Sequence, residues 1–169
     1  LSNVQEYQQS YLKLGEAVNL RPSEPTIKDE FAMNNAMIAT LILLQDTATP
    51  SAEASTQSQA LSQQAITLSN ELVQNHPNNI TFWKTRVRIF YTLAQADKRY
   101  LSYALDAVNH VHTLAPTDAK VMYNLGALYQ ETGEPQKSAE VLEQTILLKP
   151  DYRDAYFALA TAYNAQAVD

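Results

Sequence analysis

The sequence predicts an all-α fold, a superhelical stack of antiparallel helix hairpins (an α-solenoid) with about eight helices. Three observations carry that expectation. Pro22, Pro77, Pro116 and Pro150 each close an apolar helical pattern; residues at fixed distances from them recur in type; and strand-type alternation is absent. Counting back from the prolines by twelve gives Ser10, Ala65, Ala104 and Ser138, and by eight gives Leu14, Ser69, Val108 and Leu142. Counting forward by nine gives Phe31, Arg86, Leu125 and Leu159; by ten, Ala32, Val87, Gly126 and Ala160; by thirteen, Asn35, Phe90, Tyr129 and Tyr163. Two helices approach closely only where small side chains meet, so Gly126 is expected to face Ser138. Tyr and Leu one turn away then fill the wedge between hairpins, and each unit completes its neighbour's core.

Length and punctuation place the elements in order. At 169 residues and 18.9 kDa the chain is sized for one domain. Proline spacings of 55, 39 and 34 leave 21 extra residues in the first full repeat and 5 in the second, measured against a unit of about 34 residues. The expected organisation is a partial repeat over 1–22, a long repeat over 23–77, repeats over 78–116 and 117–150, and a partial repeat over 151–169. Helices are expected over 2–20, 25–45, 51–75, 79–95, 98–114, 118–132, 135–148 and 152–166. Thr49 with Pro50 suits the start of the third, Asp97 can cap the fifth, and Gly133 followed by Pro135 gives a glycine stop and a proline start between the sixth and seventh. The first insertion contains TATPSAEASTQSQALSQQ (47–64), with almost no large apolar side chain. It is read as a hairpin running beyond its neighbours, by roughly 15 Å for ten residues a side, with a loose tip.

Composition removes several chemistries. Gly is only 3 residues, at 15, 126 and 133, so no glycine loop for a nucleotide phosphate can be written. Cysteine is absent, which removes disulfides, thiolate metal sites and Cys nucleophiles. His110 and His112 stand two apart and point to different helix faces, whereas a metal pair on one helix needs i and i+4. Asp29 and Glu30 are adjacent, about 100° apart on a helix, and do not form a paired-carboxylate site. No catalytic residue, metal site or cofactor is expected. A net charge of -6 and a pI near 5.0 give no electrostatic basis for nucleic-acid binding. Lys84, Arg86, Arg88, Lys98 and Arg99 nonetheless make one hairpin locally positive. The longest apolar run, Met37 to Leu44, is far short of a bilayer span, so no direct membrane insertion of this segment is expected.

Residues 119–150, AKVMYNLGALYQETGEPQKSAEVLEQTILLKP, resemble a tetratricopeptide repeat. The pattern W-x2-L-G-x2-Y…A-x3-F…P is met outright by Leu125, Gly126, Tyr129 and Pro150. Met122 stands in the Trp position, Ser138 in the small one and Leu142 in the aromatic one; Trp83 and Tyr156 hold the Trp position of the repeats before and after. Lys28, Asn35, Arg86 and Ser69 depart from the pattern in the first two repeats. The resemblance implies a protein or peptide ligand in a concave groove lined by the first helix of each hairpin. Its groove positions fall on Asp29 and Met33; on Lys84, Arg88 and Tyr91; on Lys120, Tyr123, Asn124, Ala127 and Gln130; and on Phe157, Thr161 and Asn164. Cations, amides and aromatics suit capture of a peptide's backbone and side chains. A plain solvated face is the alternative, and the aromatic rings of Tyr123 and Phe157, one repeat apart, argue for the groove. The family's carboxylate clamp for a free C-terminus is broken: Lys84, Arg88 and Asn124 resemble its first parts, but Asp154 and Ala158 stand where its last two cations belong. An acidic ligand near Lys84 and Arg88 is expected, and a chaperone C-terminal tail is not.

NNITFWKTRVRIFYTLAQ, the five-residue insertion and LAPTDAKVMYNLGALY are similar, more weakly, to the repeat tail of bacterial O-antigen ligase-type membrane proteins. That resemblance implies an extracytoplasmic accessory domain beside a glycan-transferring one, binding glycan or partner proteins. The start at Leu1 and the half-hairpins at both ends lead us to expect a piece of a longer protein. The function expected is a non-catalytic protein- or peptide-binding module, with self-association through the unpaired end helices, as a self-assembly scaffold, also open.

Overall fold

A computed structural model of the chain describes residues 2–45 and 51–167, with side chains over 6–44 and 51–167. Among them are eight helices and no strand: α1 (Ser2–Leu20), α2 (Pro25–Gln45), α3 (Ala52–Asn75), α4 (Ile80–Ala94), α5 (Tyr100–Leu114), α6 (Ala119–Glu131), α7 (Pro135–Leu148) and α8 (Arg153–Gln166). Every expected helix is present within two residues of its expected ends. None of them is long and apolar enough to cross a membrane. The chain divides into two compact units, Leu1–Tyr100 and Leu101–Asp169.

Helix ends follow local chemistry. Ser51 accepts from the Ala54 amide at 3.1 Å, Asn79 from Thr81 and Phe82 at 3.0 and 3.4 Å, and Asp118 from Lys120 and Val121 at 3.0 and 3.2 Å, each satisfying amides that a helix start leaves unpaired. Gly133 takes φ +79° and Pro135 opens α7, the expected stop and start. Asp97 caps the turn before α5 rather than its first helical turn, accepting from the Arg99 amide at 3.0 Å and holding the Arg99 guanidinium.

In the first unit α2 is central and packs against α1, α3 and α4. Its Ala32, Ala36 and Ala39 are wholly buried, and with Ala65, Leu61, Ile89 and Leu93 they form the unit's main core. The polar stretch over 47–64, read as the end of a long hairpin with a loose tip, is helical from Ala52 onward, as the expected third helix requires. The expected start at Thr49 and Pro50 lies outside the described residues, but from Ser51 onward the polar sequence folds as α3. Ser58, Leu61 and Ser62 are buried, and Ser58 donates to the Ala39 carbonyl at 2.8 Å. Small side chains carry little apolar area, yet they let α2 and α3 approach closely enough for a hydroxyl to reach a main-chain carbonyl. The long hairpin is therefore packed along most of its length.

Two departures from the repeat pattern compensate each other. Arg86 and Ser69 replace the apolar pair that is Leu125 and Leu142 further along, and the Arg86 guanidinium donates to Ser69 at 3.2 Å and to Asn70 at 2.8 Å. It also lies 4.7 Å from the Phe90 ring centroid, a cation–π contact, and burial pulls its pKa below the usual arginine range. Lys28 pairs with Glu71 across α2 and α3. Asn35, in the Tyr129 column, is fully buried with neither side-chain polar atom hydrogen-bonded.

In the second unit α7 packs against both α6 and α8, and α6 touches α8. Gly126 faces Ser138 as expected: the Ser138 hydroxyl donates to the Gly126 carbonyl at 2.7 Å. A β-carbon at Gly126 would stand 2.7 Å from Leu142 Cγ and 2.9 Å from its Cδ2, inside any normal contact distance. Gly126→Leu should therefore lower unfolding stability by about 1 to 3 kcal/mol, measured by urea denaturation; an unchanged midpoint would contradict this packing.

Candidate binding site

In the first unit, Lys84, Arg88 and Tyr91 lie at i, i+4 and i+7 on α4 and are all exposed, Tyr91 by 40%, so they share one helix face. The two groove positions expected on α2 are not surface groups. Met33 is 9% exposed and Asp29 only 7%, because α4 packs directly over α2 there. Thr85 donates to the Asp29 carboxylate at 2.8 Å. Burial pushes the Asp29 pKa up to about 6, against the lowering effects of the Thr85 hydrogen bond and of Arg88. Register alone identified the helix face, but not that Thr85 covers it.

Two clefts of the first unit bear on the site, the first of them bordered by Met33 and Arg88. One, of about 560 Å³, is bounded by Glu6, Tyr7, Ser10 and Leu14 of α1, by α2 from Glu30 to Met37, and by Arg88. Asn34, 7% exposed, lines it; its amide donates to the Tyr7 carbonyl at 3.4 Å, while its Oδ1 has no hydrogen-bond partner. The other, of about 620 Å³, lies where the extra turns of α2 and α3 meet the turn before α5, among Ser55, Thr56, Gln59, Asp97 and Arg99. Both insertions relative to the plain repeat thus border one cleft. Sequence reasoning missed Asn34, although Ser10 and Leu14 in the small and large columns marked the α1 side of the first cleft.

In the second unit, Lys120 and Asn124 of α6 are exposed, Tyr123 and Ala127 are half-buried, and Phe157 and Thr161 of α8 are exposed, Phe157 by 77%. These helices touch. The Tyr123 ring lies 5.1 Å from the Tyr152 ring, which holds it at the surface by a tilted aromatic contact. Gln130 differs from the rest: its Oε1 accepts from Ser138 at 3.4 Å, so its amide turns toward α7. Among the described residues no group of three or more His, Asp or Glu side chains is placed to hold a metal ion.

Compared with solved structures, the chain is similar to the crystal structure of MamA, with a TM-score of 0.60, 19% identity, and coverage of 96% of this chain and 80% of that one. It is similar also to TTC0263, a thermophilic TPR protein of Thermus thermophilus, with a TM-score of 0.59, 20% identity, and coverage of 98% and 77%. The fold is a tetratricopeptide-repeat fold. No family profile matches the sequence, and neither does any curated protein; at these identities the likeness is one of fold. Within the tetratricopeptide frame, the Trp column acquires a local role. Trp83 Nε1 donates to the Pro77 carbonyl at 2.8 Å and the Tyr156 hydroxyl to the Pro150 carbonyl at 3.1 Å, each tying the start of a repeat to the proline that closes the one before.

The buried Asp29 makes stability pH-dependent. Folded, it keeps its proton to about pH 6, whereas unfolded it releases it near pH 4. It therefore costs nothing below about pH 4 and progressively destabilises the fold as pH rises through 6. Asp29→Asn, which can still accept from Thr85 but cannot ionise, should equal the wild type near pH 4 and exceed it at pH 7 by about 2 to 3 kcal/mol. Parallel stability curves for the two proteins would contradict this assignment.

Proposed function

We propose that the chain is a non-catalytic module that binds a protein or peptide ligand, with each unit supplying one recognition patch. The cationic stripe of Lys84 and Arg88 with Tyr91 takes acidic side chains. The second patch, Lys120, Tyr123, Asn124 and Ala127 with Phe157 and Thr161, takes backbone amides and apolar side chains. The observation that carries this reading is Phe157, a large aromatic ring 77% exposed on a helix whose neighbour offers Tyr123, Asn124 and Lys120. Exposed aromatics clustered with amides and cations are the composition of recognition surfaces.

Fluorescence titration with an acidic, aromatic-containing peptide tests it. Replacing Lys84 and Arg88 together by Ala should weaken binding by about tenfold at low salt and by less at high salt, since exposed charges are screened beyond about 10 Å at 0.1 M. Phe157→Ser should weaken it at both salts without lowering Tm. Equal loss at low and high salt for the double Ala variant would mean that the cations act through the fold, and binding unaffected by all three changes would reject both patches.

A further inference from the structure

The 620 Å³ cleft is walled entirely by α2, α3 and the segment from Leu93 to Tyr100, inside the first unit, and it shares no residue with either recognition patch. Its floor is apolar and small: Ala39 and Leu93 are buried, with Leu43 and Ala96 beside them. One wall is α3, where Ser55, Gln59 and Ser62 stand at i, i+4 and i+7 and so share a helix face. The other is the turn before α5, where Asp97 and Arg99 pair at 2.6 Å.

The polar groups along the α3 wall are unspent. Ser58 donates to the Ala39 carbonyl and Thr56 to the Ala52 carbonyl, but the side chains of Ser55, Gln59 and Ser62 make no hydrogen bond among the described residues. Ser62 is only 8% exposed, and a hydroxyl so withdrawn from bulk water without a partner carries a cost that an incoming donor or acceptor would relieve. Asp97 and Arg99 are the charged residues of the lining and neutralise each other, so a charged ligand would give up its hydration for no opposing net charge. Tyr100, the aromatic residue at the edge, gives one face to stacking on Phe90, 6.2 Å between centroids. What suits this lining is a neutral chain with polar groups at regular intervals. Ser55 to Ser62 span about 10 Å at about 1.5 Å per residue, the length of roughly three residues of extended chain. Gln59 offers a donor and an acceptor side by side, the complement of a peptide unit.

We propose that this cleft binds an uncharged stretch of extended peptide, laid along α3 with its main-chain amides on Ser55, Gln59 and Ser62 and small side chains over Ala39, Leu43 and Ala96. The two insertions build the site together: the longer α2 and α3 supply the floor and one wall, and the turn that carries the second insertion supplies the other. Recognition through α3, the second helix of its hairpin, sets the site apart from the exposed faces of α4 and α6, which are first helices. The inference goes beyond the two recognition patches, and either can fail without the other.

Amide NMR of the nitrogen-labelled chain tests it, with a pool of short acetylated and amidated peptides built from Ala, Val, Ser, Thr, Asn and Gln added to about 5 mM. Backbone signals of Ser55, Gln59, Ser62, Ala96 and Arg99 should shift and saturate. Gln59→Ala and Ser62→Ala should each weaken that response by about fivefold or more, the loss expected for one hydrogen bond. Ser62→Ala should do so without lowering Tm, because the hydroxyl it removes is unpaired in the fold. Replacing Lys84 and Arg88 together by Ala should leave the response unchanged, which separates this site from the cationic stripe. A pool that leaves those signals unmoved, the same saturation by maltotriose in place of peptide, or a response that survives both substitutions on α3 would overturn the proposal.

Discussion

The close approach of paired helices at small residues is the constraint on which the rest of this fold depends. Gly126 leaves no room for even one carbon beside Leu142, and Ser138 closes the gap with a hydrogen bond to the Gly126 carbonyl. In the first unit the same constraint is met by alanines on α2, with Ala65 and Ser58 on α3. Helices brought this near exclude water from the larger side chains one turn away, so burial by Leu and Tyr follows from the small residues and not the reverse. Everything exposed on α4, α6 and α8 is held in place by that packing.

The two units meet the constraint with different chemistry. Buried polar side chains among the described residues fall mostly in the first unit: Asp29, Asn34, Asn35, Thr40, Ser58, Ser62, Ser69 and Thr85, against Ser138 and Thr145 in the second. Some are well matched, as where Thr40 bridges the Ala36 and Thr92 carbonyls at 2.9 and 3.1 Å. Others cost stability, as with the unpaired Asn35 and the acid of Asp29. The first unit also holds both clefts and both insertions.

Much of the fold was legible because four prolines set the phase of each repeat separately, and an error in one could not propagate. The stop and start at Gly133 and Pro135 were legible because their chemistry is local, whereas the caps at Asn79 and Asp118 emerge only from the structure. The stretch from 51 to 64 was harder, since a count of apolar residues does not register that Ser58 and Ser62 pack by being small. Asp29 was misplaced for a related reason: a column names a helix face, but only the neighbouring helix decides whether the face is covered. The candidate site was legible on α4 and α8, where exposure follows from the column, and less so at Gln130, whose amide finds Ser138 instead of solvent.

The most direct measurement of the close-approach constraint is a double-mutant cycle on Gly126 and Leu142. Gly126→Ala alone should destabilise, because its new carbon meets Leu142; Leu142→Ala alone should destabilise through the cavity it leaves. Combined, the added carbon enters the vacated space, so the double variant should be more stable than the sum of the two losses by about 1 to 3 kcal/mol. Strictly additive losses would contradict the claim that these two helices are held at contact distance by the absence of a side chain at Gly126.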